Sequence, residues 1–312
     1  MPKPEHYVAP FDENEMAEVD KVKLDEKPSN LWRDAWRSLR RRPLFYISLA
    51  AVFVILLMAL FPSLFTDVSP DKGCLLVDSN GGPTEGHPMG FTRLGCDVYS
   101  RVVWGARTSL AVGLLATLIS GVLGVVMGAL AGFYGGWVDS VLSRLGDIFF
   151  SIPYILAAVV IMTTFSDYRN VLTLAFAIGG FAWASLARIL RSEILRVKSG
   201  DFVMASTATG RTKFGTLISH VLPNSITPVI VYLTLSLGGA IVAEATLSFL
   251  GVGLGPDVMS WGNDISAAQT SIRTAPMTLI WPSIFLTVTV LAFITLGELV
   301  RDALDPKARA RG

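Results

Sequence analysis

The chain has 312 residues, of which 52% are hydrophobic and only 16% are charged. Soluble domains carry about 25% charged residues, so this composition excludes an ordinary soluble protein and indicates a polytopic membrane protein. The formal net charge of +1 gives no basis for nucleic-acid binding.

The N-terminal region divides into two unlike parts. Residues 1–30 combine eight acidic residues and four lysines without a sustained hydrophobic period, which predicts a disordered cytosolic tail. In residues 31–42 one helical face is apolar and arginines occupy the others. The apolar face consists of Leu31, Trp32, Ala35, Trp36 and Leu39. This pattern predicts an interfacial amphipathic helix with tryptophans at the level of the lipid headgroups.

Six apolar segments are long enough to cross a hydrocarbon core of about 30 Å. They cover residues 44–65, 108–133, 148–166, 170–189, 225–250 and 277–298. We therefore expect an all-helical, multi-pass membrane protein in four parts. The first part is the tail at 1–30, and the second, at 31–107, contains the amphipathic helix, the first span and an extracellular loop. The third part is a five-span core at 108–300 that includes a polar loop at 200–224. The fourth is a cytosolic tail at 301–312.

The distribution of basic residues predicts the orientation. Groups of Arg and Lys precede the first span, follow the fourth and follow the sixth. With six spans these groups lie on one side of the membrane, which the positive-inside rule makes the cytosolic side. Both termini and the loop at 200–224 are then cytosolic, and the loop between the first two spans is extracellular.

Cys74 and Cys96 both lie in that extracellular loop, and the chain has no other cysteine. Two cysteines in one loop outside the cell predict a disulfide, and the alternative is two free thiols. Closing a loop of this size stabilises a fold by about 3 kcal/mol in the chain-entropy model.

The second span is rich in glycine, with two overlapping GxxxG pairs at Gly124, Gly128 and Gly132. Small residues let membrane helices approach closely. We favour packing of this helix inside its own bundle over a dimer interface.

Residues 200–224 form the longest polar interruption between hydrophobic segments in the second half of the chain. We predict a hairpin of two short helices, capped at their N-termini by Asp201 and Thr212. Gly210 lies between them, where a left-handed residue is favoured, and Pro223 is expected to close the segment. One apolar face is expected in the second helix, made of Phe214, Leu217, Ile218, Val221 and Leu222.

This loop resembles the "EAA" loop of the membrane subunits of bacterial ABC importers, because Ala205, Gly210 and Leu222-Pro223 stand at the spacing of that motif. Met204 stands where the family has Glu, Ser206 replaces the second Ala, and His220 replaces the usual Ile. In that family the loop is a coupling helix that sits in a groove of a cytosolic ATPase subunit. The resemblance implies ATPase coupling for Met204, Ala205, Ser206, Gly210, Leu222 and Pro223. The alternative is an ordinary basic loop between two spans.

Four further segments resemble the C-type membrane subunits of oligopeptide and dipeptide ABC importers. They are residues 87–110, 133–153, 244–262 and 296–306, and the resemblance covers about residues 31–306. It implies a six-helix, type I permease fold in the bacterial cell membrane that forms half of a translocation path for peptides. The implied partners are a second, homologous permease subunit, two ATP-binding subunits and an extracellular substrate-binding protein.

Catalytic and nucleotide-binding motifs are absent from the sequence. It contains no G-x-x-x-x-G-K-[ST], no HExxH and no GxSxG, and its three histidines are far apart. We therefore expect a transport subunit that is not an enzyme and has no cofactor or metal of its own. ATP and Mg would be bound by partner subunits.

Glu244 is the one acidic residue that we place in the interior of a predicted span. An ionised carboxylate is costly in hydrocarbon, so it should face protein or a cavity. One interpretation is a residue that lines the translocation path. The other, which we favour, is a hydrogen-bonded structural acid near the outer end of the fifth span. Asp139 and Asp147, in the loop before the third span, are expected to be solvated cytosolic charges that could contact an ATPase.

Three alternatives to a peptide importer remain open. A secondary transporter would need several intramembrane ionisable groups, and only Glu244 qualifies. A membrane scaffold or receptor without transport is a second alternative. Among ABC importers, permeases for nickel, glutathione or another small solute have similar motifs.

Overall fold

The computed structural model describes residues 31–304, which form helices joined by loops, with two isolated β-bridges in the loop at 61–97. The predicted tail at 1–30 and residues 305–312 lie outside the described residues. In chain order the helices are α1 (Leu31–Leu39), α2 (Pro43–Leu60), α3 (Val98–Tyr134), α4 (Gly136–Ser151), α5 (Tyr154–Thr164), α6 (Val171–Val197), α7 (Asp201–Ala208), α8 (Lys213–Thr216), α9 (Leu222–Ser225), α10 (Thr227–Phe249), α11 (Trp261–Ala268) and α12 (Met277–Leu304).

Five of these helices, α2, α3, α6, α10 and α12, are long and apolar enough to cross a membrane. A sixth span is present if α4 and α5 are counted together, although an angle of 80° separates them. The predicted number of six spans therefore holds when the bent pair counts as one.

The bend corrects the predicted third span at 148–166. Helix α4 ends at Ser151, and Pro153 lies immediately before α5. Proline has no backbone N–H and disfavours the helical conformation in the residue before it. Ile152 is accordingly extended, with φ −89° and ψ 120°. The chain therefore breaks inside the segment that the sequence suggested was one continuous helix.

Several helices also end at residues other than those predicted. The second span begins at Val98 rather than 108, and α6 and α12 run past their apolar segments to Val197 and Leu304. Residues 301–304 are therefore helical rather than part of a tail. A charge-free interval marks the hydrocarbon-crossing part of a helix, whereas these helices continue into polar surroundings. Helix α2, in contrast, ends at Leu60, before the predicted end of the first span at residue 65, because a 3-10 turn that begins with Pro62 follows it.

Helices α3 and α6 run side by side and pack through the glycines of the second span. A Cβ atom at Gly128 would lie 2.6 Å from the Ala187 carbonyl oxygen, and one at Gly132 would lie 3.0 Å from the Arg191 carbonyl oxygen. At Gly124 it would lie 2.8 Å from the Leu186 side chain. The glycine face therefore packs inside the bundle of its own chain, as we favoured.

The bundle has two distinct ends. At one end α3 and α6 finish, and the hairpin at 200–224 follows α6 directly. Helix α1 packs there against the last turns of α12, and Arg42 forms an ion pair with Asp302 at 2.8 Å. We call this the hairpin end. At the opposite, disulfide end, α3 begins, α10 finishes and the loop at 61–97 covers the helices.

The adjacent residues Gly179 and Gly180 allow a matched test of the close approach between α3 and α6. A Cβ at Gly179 would overlap the Ala116 carbonyl oxygen, whereas one at Gly180 would first meet a Phe176 ring carbon at 3.7 Å. We expect Gly179→Ala to lower the stability of the detergent-solubilised protein by about 1–3 kcal/mol, as overpacking does. Gly180→Ala should leave the Tm nearly unchanged. Equal Tm values for the two variants would contradict the α3–α6 contact.

Candidate functional site

The hairpin at 200–224 consists of α7, a tight turn, α8, one π-helical turn at Leu217–Val221 and α9. Two predicted turn residues are confirmed. Gly210 has φ +82° and occupies the left-handed region, where a glycine avoids the strain of a side chain. The Thr212 side chain accepts a hydrogen bond from the Gly215 backbone N–H at 3.1 Å and so caps α8.

Two other predictions for the hairpin are wrong. Gly200, rather than Asp201, occupies the N-cap position of α7, and Asp201 is the first helical residue. Pro223 does not close the segment, because it lies in the first turn of α9. A proline is tolerated there, since the first backbone N–H groups of a helix have no partner inside the helix.

One face of the hairpin is anchored to the end of α6. Val203, Leu217 and Val221 are buried in one cluster with α6 side chains such as Leu190 and Ile194. Between the two arms the Ser206 and Thr216 hydroxyls are hydrogen-bonded at 3.1 Å, and both residues are buried. The hairpin is therefore packed on the bundle and is not a loose loop.

The opposite face of the hairpin exposes large apolar side chains. Met204 is 58% exposed and Phe214 is 62% exposed, and Phe202 and Ile218 are also exposed. The predicted apolar face of the second helix is thus divided, because Leu217 and Val221 are buried while Phe214 and Ile218 are not. The division follows from packing, because Leu217 and Val221 face the α6 side chains whereas Phe214 and Ile218 lie outside that cluster. We call Phe202, Met204, Phe214 and Ile218 the exposed apolar residues of the hairpin.

The predicted coupling residues therefore have different surroundings. Met204, Ala205 and Pro223 are exposed, Leu222 is half-buried and Ser206 is buried. Sequence reasoning omitted Phe202, although an aromatic residue in the first turn of a short polar helix is a recognisable signal.

Glu244 is fully buried where α3, α10 and α11 meet at the disulfide end. The Ser109 hydroxyl donates to Glu244 Oε2 at 3.0 Å, and the Ser248 hydroxyl donates to Oε1 at 3.1 Å. The Trp261 backbone N–H in turn donates to Ser109 Oγ at 3.2 Å. We call these four residues the Glu244 cluster. Its hydrogen bonds join three helices, which fits the structural role that we favoured; a path-lining role stays a prediction.

The loop at 61–97 is closed by the predicted disulfide, with the Cα atoms of Cys74 and Cys96 4.3 Å apart. Asp97 caps α3 by accepting the Ser100 backbone N–H at 2.7 Å, and it also contacts His87 Nδ1 at 3.0 Å. Gly95 has φ +73°, and a Cβ there would overlap the Leu75 backbone. The polar residues and glycine of this segment thus shape the loop and start the helix.

An ion pair links the start of α3 to α11. Arg101 Nε donates to Asp264 Oδ1 at 2.8 Å, and both side chains are largely shielded from solvent. Burial raises the pKa of the Asp264 carboxyl, and the Arg101 guanidinium opposes that shift. The indole N–H of Trp261 also donates to the Val102 carbonyl oxygen, at 2.9 Å. Helix α11 is therefore fastened to the first turns of α3.

Asp139 is paired and largely shielded from solvent, which corrects the prediction for it, whereas the Asp147 side chain is 55% exposed and remains a solvated charge. They lie on helix α4, where Asp139 forms a two-point ion pair with Arg191 and Asp147 accepts from Arg188 at 3.1 Å. Both arginines belong to α6, so the pairs hold α4 against α6. Within residues 31–304, no group of three or more His, Cys, Asp and Glu side chains is arranged to hold a metal ion.

Comparisons with known proteins identify the family. Residues 124–310 match the family described as binding-protein-dependent transport system inner membrane component. Residues 30–80 match the N-terminal TM domain of oligopeptide transport permease C. The chain belongs to this family of transport permeases. It is therefore a multi-pass subunit of the cell membrane and not an enzyme, since in such importers separate subunits hydrolyse ATP.

The matches to named relatives cover nearly the whole permease. It is 32% identical to the oligopeptide transport system permease protein OppC of Bacillus subtilis (strain 168), over 93% of this chain and 94% of that protein. It is 34% identical to the dipeptide permease protein DppC of the same organism, over 94% and 90%. It is 33% identical to the glutathione transport system permease protein GsiD of Pectobacterium atrosepticum, over 92% and 94%.

A solved structure supports the fold. The permease resembles a chain from the structure described as inward facing conformations of the MetNI methionine ABC transporter, with a TM-score of 0.51 at 18% identity. The match covers 65% of this chain and 95% of that chain. The predicted all-helical ABC importer permease fold is confirmed.

The Glu244 cluster gives a test of its structural role. Glu244→Leu would leave the buried Ser109 and Ser248 hydroxyls without their acceptor, and we expect a loss of about 1–3 kcal/mol in stability. Glu244→Gln keeps an acceptor oxygen and nearly the same shape, so its Tm should stay close to that of the unmodified permease. A Leu variant as stable as the Gln variant would show that these hydrogen bonds contribute nothing.

Proposed function

We propose that this permease is the C-type membrane subunit of an ATP-driven importer of short peptides. The observation that carries the proposal is the near full-length similarity to permeases named for oligopeptides and dipeptides. A permease named for glutathione is about equally similar, and glutathione is itself a small peptide. The alternative substrates, nickel or another small solute, have no such support among these relatives.

We further propose that the hairpin at 200–224 is the coupling element that contacts an ATPase subunit. Its anchored face transmits movement to α6, because Val203, Leu217 and Val221 pack against that helix. Its other face offers Met204 and Phe214 for burial in a partner groove. An ATPase can shift the permease between two states only if its contacts with the hairpin differ between them. Apolar burial would supply those contacts here, since Met204 takes the place of the family's Glu.

The same proposal assigns the remaining partners and the orientation. The hairpin end, with α1 and the end of α12, faces the cytosol and the two ATPases. The disulfide end faces outward, where an oxidising compartment keeps the Cys74–Cys96 bond intact and a binding protein delivers the peptide. A second, homologous permease subunit completes the translocation path.

The first experiment is purification of the tagged permease from its native membrane in mild detergent, with mass spectrometry of the co-purifying chains. We expect a second permease, two ATP-binding subunits and a substrate-binding protein. The purified complex in proteoliposomes should take up a labelled dipeptide only when ATP is supplied on the ATPase side. Recovery of the permease alone across several detergents, or uptake of nickel ions but of no peptide, would contradict the proposal.

Gly210 allows a test of the coupling hairpin that leaves the bundle untouched. A Cβ at Gly210 would meet no atom within 4 Å, so a side chain there disturbs no packing contact within the chain. A left-handed residue costs about 1–2 kcal/mol for most side chains, and Asn tolerates this conformation better. We expect Gly210→Val to reach the membrane normally but to lose most ATP-driven uptake. Gly210→Asp should also uncouple uptake, because it adds a negative charge to the exposed part of the hairpin at which the ATPase would bind.

Gly210→Asn is the matched control and should retain most of the uptake. Membrane levels, measured by immunoblotting, should be equal in all variants. Normal ATP-driven uptake by both Gly210→Val and Gly210→Asp would refute the coupling assignment.

A further inference from the structure

A cavity of about 330 Å³ lies where the bent pair α4–α5 approaches α3, α6 and α10. Thr117, Ser120, Ser185 and Ser236 lie in the middle parts of their helices, so the cavity is near the middle of the bundle. Its lining within the described residues contains no charged side chain. It does contain six side-chain hydroxyl groups, from Thr117, Ser120, Tyr154, Ser185, Tyr232 and Ser236.

The hydroxyl groups of this cavity retain hydrogen-bonding capacity. Thr117 Oγ1 is buried and has no hydrogen-bond partner within residues 31–304. Ser120 donates to the Thr117 carbonyl oxygen and Ser236 to the Leu233 carbonyl oxygen, each at 3.0 Å, so both hydroxyl oxygens remain able to accept. A buried hydroxyl without a partner is costly and therefore calls for a reason. A ligand that both donates and accepts hydrogen bonds would provide one.

The helix break at the same place is a second, independent observation. Ile152 and Pro153 interrupt the bent pair and line the cavity. Irregular backbone at membrane depth is tolerated only where it is buried in protein or lines a polar cavity, because lipid cannot satisfy free backbone groups. The break therefore fits a cavity that admits water or solute.

Resting on the proposed function, we propose that this cavity is the part of the translocation path that the permease contributes, and that its hydroxyls bind the backbone amides of a short peptide in transit. Hydroxyl groups can donate to a peptide carbonyl and accept from a peptide N–H. A lining without charge does not discriminate between acidic and basic peptide side chains. The volume is at the lower end of the ~300–1,000 Å³ of small-molecule sites, as expected when a second subunit supplies the rest.

Glu244 offers a poorer candidate for the path. Its carboxylate is fully buried and already accepts hydrogen bonds from two serines. The proposal therefore moves the predicted path-lining role from Glu244 to the hydroxyl-lined cavity.

Thiol labelling gives the first test, because Cys74 and Cys96 are joined and the described residues contain no free cysteine. Ser185→Cys and Ser236→Cys each place one free thiol in the cavity at almost no change in volume. Ser63→Cys, at an exposed position in the turn that follows α2 and outside the cavity lining, is the matched control. The complete transporter in proteoliposomes would be treated with N-ethylmaleimide in the presence of ATP and binding protein, with and without dipeptide.

We expect the dipeptide to slow labelling at Ser185→Cys and Ser236→Cys and to leave Ser63→Cys unaffected. The sample without dipeptide separates occupancy of the cavity from the conformational cycle that ATP drives. Unchanged labelling at both cavity positions, in vesicles that still take up the dipeptide, would overturn the inference and leave the proposed function intact. A transporter that takes up no peptide at all would instead overturn the proposed function.

Substitutions at Gly239 give a second test, which measures the preference of uptake for acidic or basic dipeptides. Gly239 lines the cavity, and a Cβ there would meet no atom within 4 Å, so a larger side chain can enter without a clash. We expect Gly239→Asp to lower uptake of an acidic dipeptide relative to a basic one by about fivefold, from charge repulsion at close range. Gly239→Ala should leave the ratio unchanged. The binding protein is the same in every assay, so a changed ratio must arise in the permease.

An unchanged ratio in an active Gly239→Asp transporter would overturn the inference. If that variant takes up nothing, the thiol labelling still decides, because it uses serine positions that hardly change the fold.

Discussion

The close approach of α3 and α6 is the contact on which the rest of the structure depends. Lipid is as apolar as the helix surfaces, so no hydrophobic force drives membrane helices together, and close packing of small residues takes its place. Gly124, Gly128 and Gly132 provide that packing along α3, and Gly179 provides it from α6. The contact sets where both ends of α6 lie. The hairpin at one end and the cavity wall in the middle are therefore positioned by the same interface.

Electrostatic contacts extend this arrangement beyond the hydrocarbon. Arg191 pairs with Asp139 where α4 meets α6, and Arg101 pairs with Asp264 where α11 meets α3. Lys198 donates to the Gly132 carbonyl oxygen at 2.8 Å and so satisfies a backbone acceptor at the end of α3. These ion pairs and this hydrogen bond explain why the helices run past their apolar segments, since the added turns carry charged side chains that have partners on neighbouring helices. Charges that looked like loop residues in the sequence thus belong to the helix ends.

Composition and charge-free intervals were sufficient to predict six spans when the bent pair α4–α5 counts as one, because the bilayer imposes a minimum apolar length. Local chemistry was likewise sufficient for Gly210 and Thr212, whose roles depend on their own backbone and immediate neighbours. The break before Pro153 could have been predicted by the same reasoning, since proline restricts the residue that precedes it. It was missed because the apolar run through it is long enough for one span.

Other features depend on tertiary contacts that a single sequence does not reveal. The apolar face of the hairpin is divided because only Leu217 and Val221 are buried against α6, and the π-helical turn there has no periodic signal in the sequence. The hydroxyl-lined cavity was missed for a related reason. Ser and Thr are common in membrane helices, where they usually donate to their own helix backbone, so their spacing does not say which of them face a shared space. Only the packing of α3, α6 and α10 brings Thr117, Ser185 and Ser236 together.

The uncharged cavity lining and the apolar hairpin face favour different strengths of contact in the proposed importer, weak with the peptide and strong with the ATPase. In the proposed path a peptide would be held by hydrogen bonds and apolar contacts without a charged partner, which favours its release. Selectivity would then rest with the binding protein, and the permease could serve peptides that differ in side-chain charge. Coupling to the ATPase faces the opposite demand, because a state-dependent contact must be strong to shift a conformational equilibrium. Large apolar side chains such as Met204 and Phe214 meet that demand, since their burial releases free energy without a charged partner. Weak contacts in the path and strong contacts at the hairpin are what an ATP-driven importer requires of its membrane subunit.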